Sequence, residues 1–265
     1  MNTMHDTPRP LLEHLIELRQ RLIYAMIGFF IAFAVCYAFS EEIFQFLVKP
    51  LATLLQAKGE GRRLIYTGLT EAFLTYIKVA AFAASFIAFP FIATQLWLFI
   101  APGLYQNEKK LFVILASATP VLFILGAAFA YTIIFPTAYQ FFLSFETAAS
   151  AGTLPIQLEA KVNEYLSFVM RLIFAFGICF ELPVVLTLMA SIGMVTRQGL
   201  IQKWRIAVLI IFVIAAFITP PDVLSMLGLA LPLIILYGLS IMMVSILENY
   251  RNSTRSKRPN SFPPA

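Results

Sequence analysis

Six stretches of the chain are long, apolar and poor in charge, and polar segments separate them. They cover residues 22–39, 72–100, 111–135, 165–192, 206–219 and 223–247. A helix crosses about 30 Å of hydrocarbon with about 20 such residues. The runs are continuous, whereas the strands of a membrane β-barrel alternate apolar and polar side chains. The pattern predicts an all-α integral membrane protein with six transmembrane helices in one polytopic domain, residues 1–250.

The segment before the first apolar run has helical periodicity. Leu11, Leu15, Leu18 and Leu22 recur at spacings of three and four, which predicts an amphipathic helix over residues 10–21 that leads into the first span. The run itself continues to Phe39, longer than the apolar core of a signal peptide, so we expect a retained span. The polar segment 251–265 is rich in Ser, Asn, Pro and Arg, which predicts a disordered tail.

Composition supports a membrane protein and excludes several other classes. The chain is 60% hydrophobic and 12% charged, whereas soluble domains carry about 25% charged residues. The net charge of +5 comes from scattered basic residues rather than from a dense patch, so nucleic acid is not the expected partner. The two cysteines lie in apolar runs, and the two histidines are His5 and His14. We therefore expect no metal site. No cofactor and no enzymatic activity are expected either.

Charge outside the spans predicts the orientation. With both termini in the cytoplasm, the inner segments carry twelve Lys and Arg residues and the outer segments carry five, as the positive-inside rule requires. The two long outer segments, 40–71 and 136–164, are predicted to form caps. The first is expected to be a structured cap or a mobile hairpin, and the second to contain short interfacial helices.

Some polar residues could carry chemistry. Glu181 lies in the middle of a predicted span, two residues before Pro183, and is either a functional polar point or a structural hydrogen-bonding group. Glu17 and Arg21 have the spacing of a helical ion pair, and Glu17 could instead offer its carboxylate to a cationic ligand. Glu108 and Asp222 have the positions of helix N-terminal capping residues.

Four motifs in order resemble the TatC family, the multispanning core of the twin-arginine protein translocase. They are Pro10 to Arg21, Gln95 to Tyr105 followed by Glu108, Tyr165 to Pro183, and Thr219 to Asp222. The resemblance covers about residues 8–250. It implies a concave bundle with periplasmic caps that exports folded proteins with the proton gradient as the driving force.

The resemblance also implies roles for individual residues. Signal-peptide binding at the cytoplasmic face falls on Glu17, Glu108, Arg19, Phe99 and Tyr105. The physics agrees, because a guanidinium pairs bidentately with a carboxylate and two arginines suit two carboxylates. Glu181 matches an intramembrane glutamate that contacts single-span TatA- and TatB-type subunits or the inserted peptide, in a hetero-oligomer within the lipid bilayer. Pro50 and Asp222 occupy structural positions on the periplasmic side.

Two positions depart from the family pattern. Met226 stands where a glutamine is common, and Gly238 stands where a glutamate is common. We expect both to reduce a polar patch near the outer end of the last span. The expected location is the inner membrane of a bacterium, with thylakoid and mitochondrial membranes left open. The alternatives are a secondary transporter for a small solute or ion and an intramembrane hydrolase, and the sequence contains neither an internal repeat nor a nucleophile motif for them.

Overall fold

The computed structural model describes residues 11–57, 63–100, 109–146, 159–219 and 223–256, and helices account for most of them. In chain order they are α1 (Leu11–Ala38), α2 (Ser40–Ala57), α3 (Glu71–Ile100), α4 (Lys109–Phe129), a π-helical segment (Ala130–Ile134), α5 (Phe135–Leu143), α6 (Val162–Phe180), α7 (Leu182–Ser191), α8 (Arg197–Gln202), α9 (Trp204–Ile218) and α10 (Val223–Ser256). Within these ranges the β-structure is one isolated parallel bridge between Ile65 and Lys161. The all-α prediction is confirmed.

Five helical stretches of the described chain are long and apolar enough to cross a membrane. They are Glu13–Ala38, Glu71–Phe99, Val113–Leu143, Val162–Ser191 and Ser225–Asn249. The sixth predicted span corresponds to α9, which has 15 residues and is about 22 Å long. The chain is therefore a multi-pass membrane protein, and the count of six crossings and their orientation remain predictions.

The N-terminal helix is continuous from the amphipathic segment through the apolar run. Its exposed apolar residues face outward on most sides, as lipid contact requires, and it packs along α3. The contact is close at Gly28, where an added Cβ would come within 2.6 Å of the Phe91 ring. A small residue here lets the two helices approach each other.

The helix that contains the third predicted span, 111–135, runs past residue 135 through the π-helical segment into α5 and ends at Leu143. Pro136 lacks a backbone N–H and would normally interrupt an α-helix. Here it lies in the first turn of α5, directly after the stretch of wider hydrogen bonding, so the chain keeps its direction.

The fourth span breaks where the sequence predicts a bend. α6 ends at Phe180, Glu181 occupies the junction, and Pro183 lies in the first turn of α7. Two glycines bring α6 against α4. An added Cβ at Gly126 would lie 2.5 Å from the Phe176 carbonyl oxygen, and one at Gly177 would lie 2.6 Å from the Phe123 ring.

One end of the bundle is covered by α2, the segment 63–71 and α5, and we call it the cap end. Leu47, Leu51 and Leu55 of α2 are buried in the main hydrophobic core. Tyr165 of α6 donates a hydrogen bond to the Leu47 carbonyl oxygen at 2.8 Å. Of the two alternatives for residues 40–71, a structured cap or a mobile hairpin, the described residues 40–57 and 63–71 form a structured cap.

A carboxylate fastens the segment 63–71 to the bundle. Glu71 Oε2 accepts hydrogen bonds from the backbone N–H groups of Thr67 and Gly68, and Glu71 Oε1 accepts one from the Asn163 N–H. Together with the Ile65–Lys161 bridge, these bonds tie the start of α3 to the start of α6. The starts of both helices therefore lie at the cap end.

The opposite end of the bundle contains the start of α1, the end of α3 and α8. Tyr237 of α10 donates a hydrogen bond to the Leu200 carbonyl oxygen of α8 at 2.8 Å. The expectation that Gly238 lies near the outer end of the last span is therefore wrong. Gly238 is 15 residues into α10, about 22 Å from its start. Because α9 is also about 22 Å long, α8 lies beside α10 at this depth. Met226 does lie near the start of α10, where it packs against the main core.

Candidate functional site

A polar cluster joins α1 to α3 at the end of the bundle opposite the cap. Arg21 Nη2 lies 3.4 Å from Glu17 Oε1, one helical turn away. Arg21 Nη1 donates to Gln95 Oε1 of α3 at 3.3 Å. The sequence indicates the i,i+4 pair, and the structure confirms it. The bond to Gln95 was missed, although a glutamine within an apolar run was a visible signal.

The ion pair lines a shallow surface depression of about 420 Å³. Its walls come from one face of α1, at Glu13, Ile16, Glu17, Gln20, Arg21 and Tyr24. The side chain of Glu17 retains 20% of its exposure and that of Arg21 retains 29%, so both are accessible yet partly shielded from water. Partial shielding strengthens attraction between charges relative to bulk solvent.

An aromatic contact lies beside this cluster. The rings of His14 and Phe99 stack with centroids 4.2 Å apart and an interplanar angle of 16°. This places Phe99, at the end of α3, next to the first turns of α1. Glu17 and Phe99 are thus brought to one end of the same α1–α3 seam. The role of His14 in this contact was missed by sequence reasoning, because nothing in a single sequence pairs residues 85 apart.

Arg19 lies apart from this cluster. It is exposed on α1, and a separation of two residues turns its side chain about 200° away from Glu17. Pro50 lies inside α2 at the cap end, far along the chain from the cluster. Tyr105, Glu108 and Asp222 lie outside the described residues.

Glu181 forms a second polar position, inside the bundle. The residue is 9% exposed, and its carboxyl group lies beside the Thr119 side chain and the Phe123 backbone of α4. Among the described residues, Glu181 Oε1 has no hydrogen-bond partner. Thr119 in turn accepts a hydrogen bond from Trp97 Nε1 of α3 at 3.2 Å. Polar groups from α3, α4 and the α6–α7 junction therefore meet within the apolar bundle, where an unsatisfied acceptor is costly.

The two positions differ in the ligands that suit them. The Glu17 cluster is an accessible carboxylate that already holds a guanidinium, so its geometry suits a cationic ligand. Glu181 is an enclosed acceptor that suits a hydrogen-bond donor. Among the described residues, no group of three or more His, Cys, Asp or Glu side chains comes together to hold a metal ion.

Comparison of the chain with known proteins identifies its family. Residues 13–232 match the family described as "Sec-independent protein translocase protein (TatC)". The chain belongs to the TatC family. A TatC protein of Rickettsia prowazekii (strain Madrid E) is 47% identical over 239 residues, which cover 90% of this chain and 94% of that protein. One of Magnetococcus marinus is 44% identical over 251 residues, which cover 95% of this chain and 89% of that protein.

A solved crystal structure of the twin arginine translocase receptor TatC has the same fold. It superposes with a TM-score of 0.75 at 36% identity, and the match covers 88% of this chain and 98% of that one. The matched family range includes Glu17, Phe99 and Glu181. The relatives are named translocase proteins, which favours a TatC function over the solute transporter and hydrolase alternatives.

Proposed function

We propose that this TatC-family chain is the signal-peptide receptor and core of a twin-arginine translocase. It lies in the cytoplasmic membrane with six crossings and both termini inside, and it exports folded proteins with TatA- and TatB-type subunits. The observation that carries the receptor role is the accessible Glu17 carboxylate, held by an arginine beside the His14–Phe99 stack.

The recognition step uses the chemistry already present at this cluster. A guanidinium of the signal peptide approaches Glu17 and competes with Arg21 for the carboxylate. Arg21 keeps Gln95 Oε1 as a second acceptor, so it can release Glu17 without losing every partner. Lysine lacks the planar fork that binds a carboxylate through two parallel bonds, which accounts for a preference for arginine.

The remaining predicted residues complete the proposal. Glu108 supplies the second carboxylate for the second arginine, and Phe99 and Tyr105 provide apolar contacts beside it. Arg19 contributes from the opposite face of α1. Glu181, with its available acceptor, receives a donor from a partner helix or from the inserted peptide. Pro50 and Asp222 shape the periplasmic side.

Site-specific photocrosslinking tests the receptor role. A photoreactive residue at Gln20, which lines the depression, is expected to crosslink an Arg-Arg signal peptide and to label a Lys-Lys peptide weakly. Glu17→Gln and Glu108→Gln should each reduce the Arg-Arg crosslink, and added salt should reduce it further, because exposed charges are screened. Glu42→Gln, the same change at the cap end, serves as the control. Equal labelling by Arg-Arg and Lys-Lys peptides, or full labelling of the Glu17→Gln, Glu108→Gln double variant, would exclude this site.

A further inference from the structure

Two basic residues lie inside the cap-end halves of α3 and α6 and point away from the core. Lys78 is seven residues into α3 and Arg171 is nine residues into α6, so they lie about 10 Å and 13 Å from the starts of their helices. Both side chains are exposed. On α6 the buried residues Leu166, Val169 and Ile173 share one face, and Arg171 projects from the opposite face. In a membrane, this outward face of α6 contacts lipid.

Neither cation has a counter-ion in the described part of the chain. No described carboxylate lies within 4.0 Å of Lys78 or Arg171, whereas Arg21 and Lys161 each have one. Glu71, the acid closest to Lys78 along α3, is engaged by backbone N–H groups. Lys78 Nζ donates to Asn163 Oδ1 at 2.6 Å, and this bond is to a neutral amide. The described part of the chain therefore leaves two cations without a counter-ion, Lys78 beside the start of α6 and Arg171 on the outward face of α6.

The sequence around both cations places them at a boundary of the hydrocarbon. After Lys78 the next charged residue is Glu108. After Arg171 the next charged residue is Glu181, which is buried inside the bundle, and the next basic residue is Arg197. Each cation is thus followed by more than the roughly 20 residues without an exposed charge that a crossing needs. Side chains on a helix lean toward its N-terminus. Since α3 and α6 both begin at the cap end, Lys78 and Arg171 extend toward the headgroups of that leaflet.

We propose that Lys78 and Arg171 bind headgroup phosphates of anionic phospholipids at the cap end of α3 and α6. Phosphate is the anion that a bilayer supplies at this depth, and the guanidinium of Arg171 can grip two of its oxygens. The ammonium of Lys78 keeps protons beyond the one given to Asn163 and can donate them to a headgroup phosphate. The net negative charge of an anionic lipid complements two cations that have no counter-ion among the described residues. This inference does not depend on the proposed receptor function.

Lipid selectivity measured on the full-length protein tests the proposal. The protein is reconstituted in bilayers with spin-labelled phosphatidylglycerol or spin-labelled phosphatidylcholine, and the motionally restricted fraction of each label is determined. The wild type is expected to prefer phosphatidylglycerol. Lys78→Gln with Arg171→Gln should lower that preference several-fold, and Arg171→Lys should keep part of it because the charge remains.

Lys161→Gln is the matched control. It removes one positive charge at the same end, but Lys161 has Glu164 as its own counter-ion at 3.2 Å, so the lipid preference should persist. Circular dichroism and gel filtration confirm that each variant is folded, and the single variants replace the double one if it fails this check. An unchanged preference in the double variant overturns the proposal, and so does an equal loss in Lys161→Gln. Loss of co-purified partner subunits with lipid preference intact would assign the cations to a protein carboxylate and would likewise overturn it.

Discussion

The Tyr131 hydroxyl donates a hydrogen bond to the Phe46 carbonyl oxygen at 2.7 Å, and this carbonyl is the one that Pro50 leaves without a helical donor. Pro50 has no N–H for the carbonyl four residues earlier. Tyr131, in the π-helical segment, supplies the missing donor, and its ring stacks on that of Phe46 with centroids 4.8 Å apart. The proline in the cap and the tyrosine in the bundle therefore form one unit.

A double-mutant cycle tests this unit. Tyr131→Phe removes the donor and should lower the free energy of unfolding by about 1 kcal/mol, measured by denaturation in mixed detergent micelles. In a Pro50→Ala background the new Ala N–H can serve Phe46, so the same change should cost markedly less. Tyr37→Phe, at an exposed position of α1, is the control. Equal costs in both backgrounds would show that Tyr131 and Pro50 act independently.

The α4–α6 contact predicts opposite effects for two glycine substitutions. Gly126→Ala places a Cβ 2.5 Å from a backbone carbonyl oxygen, so the helices must separate, at a cost of about 1–3 kcal/mol. Gly238→Ala meets nothing within 4 Å and should stabilise α10 by about 0.5–1 kcal/mol through helix propensity. Thermal unfolding in detergent compares the two. A stable Gly126→Ala variant would contradict the close approach.

Arg21 is predicted to restrain ligand binding at Glu17. Arg21→Gln removes the resident guanidinium and should tighten binding of an Arg-Arg signal peptide about twofold to fivefold, the range expected of a partly exposed ion pair. Fluorescence anisotropy with a labelled peptide measures the affinity. Lys161→Gln removes one positive charge at the cap end, away from the cluster, and is the comparison. Weaker binding by the Arg21→Gln variant would mean that Arg21 contacts the peptide directly.

α8 is predicted to depend on an acid from α10. Glu248 Oε1 accepts a hydrogen bond from the Arg197 N–H at 2.9 Å, and Thr196 Oγ1 accepts one from the Gly199 N–H at 3.1 Å. Glu248→Ala should raise the amide exchange rate of Arg197 about fivefold or more, because that N–H loses its acceptor. Glu248→Gln retains an acceptor oxygen and should change the rate little. Equal acceleration in both variants would assign the effect to charge instead.

The features that were predictable from sequence depend on neighbours along the chain. Apolar runs fix the existence of the long helices, Pro183 fixes the break beside Glu181, and i,i+4 spacing fixes the Glu17–Arg21 pair. The family motifs point to Glu17 and Phe99 as residues of one site.

The features that were missed depend on contacts between distant segments. Arg21 with Gln95, His14 with Phe99, and Tyr131 with Phe46 are each separated by more than 70 residues, and no periodicity links them. The helix continues past residue 135 because a π-helical segment accommodates Pro136, which residue preferences do not anticipate. The depth of Gly238 was mispredicted because Gly238 lies beside α8. The sequence does not show that the short α9 brings α8 and α10 together at this level.

Among the long helical stretches described, α1 is the one with no proline in its interior. Pro90, Pro120 and Pro232 interrupt the hydrogen bonding of α3, α4 and α10, and Pro183 follows the break between α6 and α7. α1 has 28 residues, about 42 Å of unbroken helix, and a single residue separates it from α2. α1 is therefore the stiffest of these helices, with the Glu17 cluster near one end and the cap at the other. Because a straight helix bends little, a ligand that tilted α1 at Glu17 would also move Ser40 and the cap at the opposite end of α1.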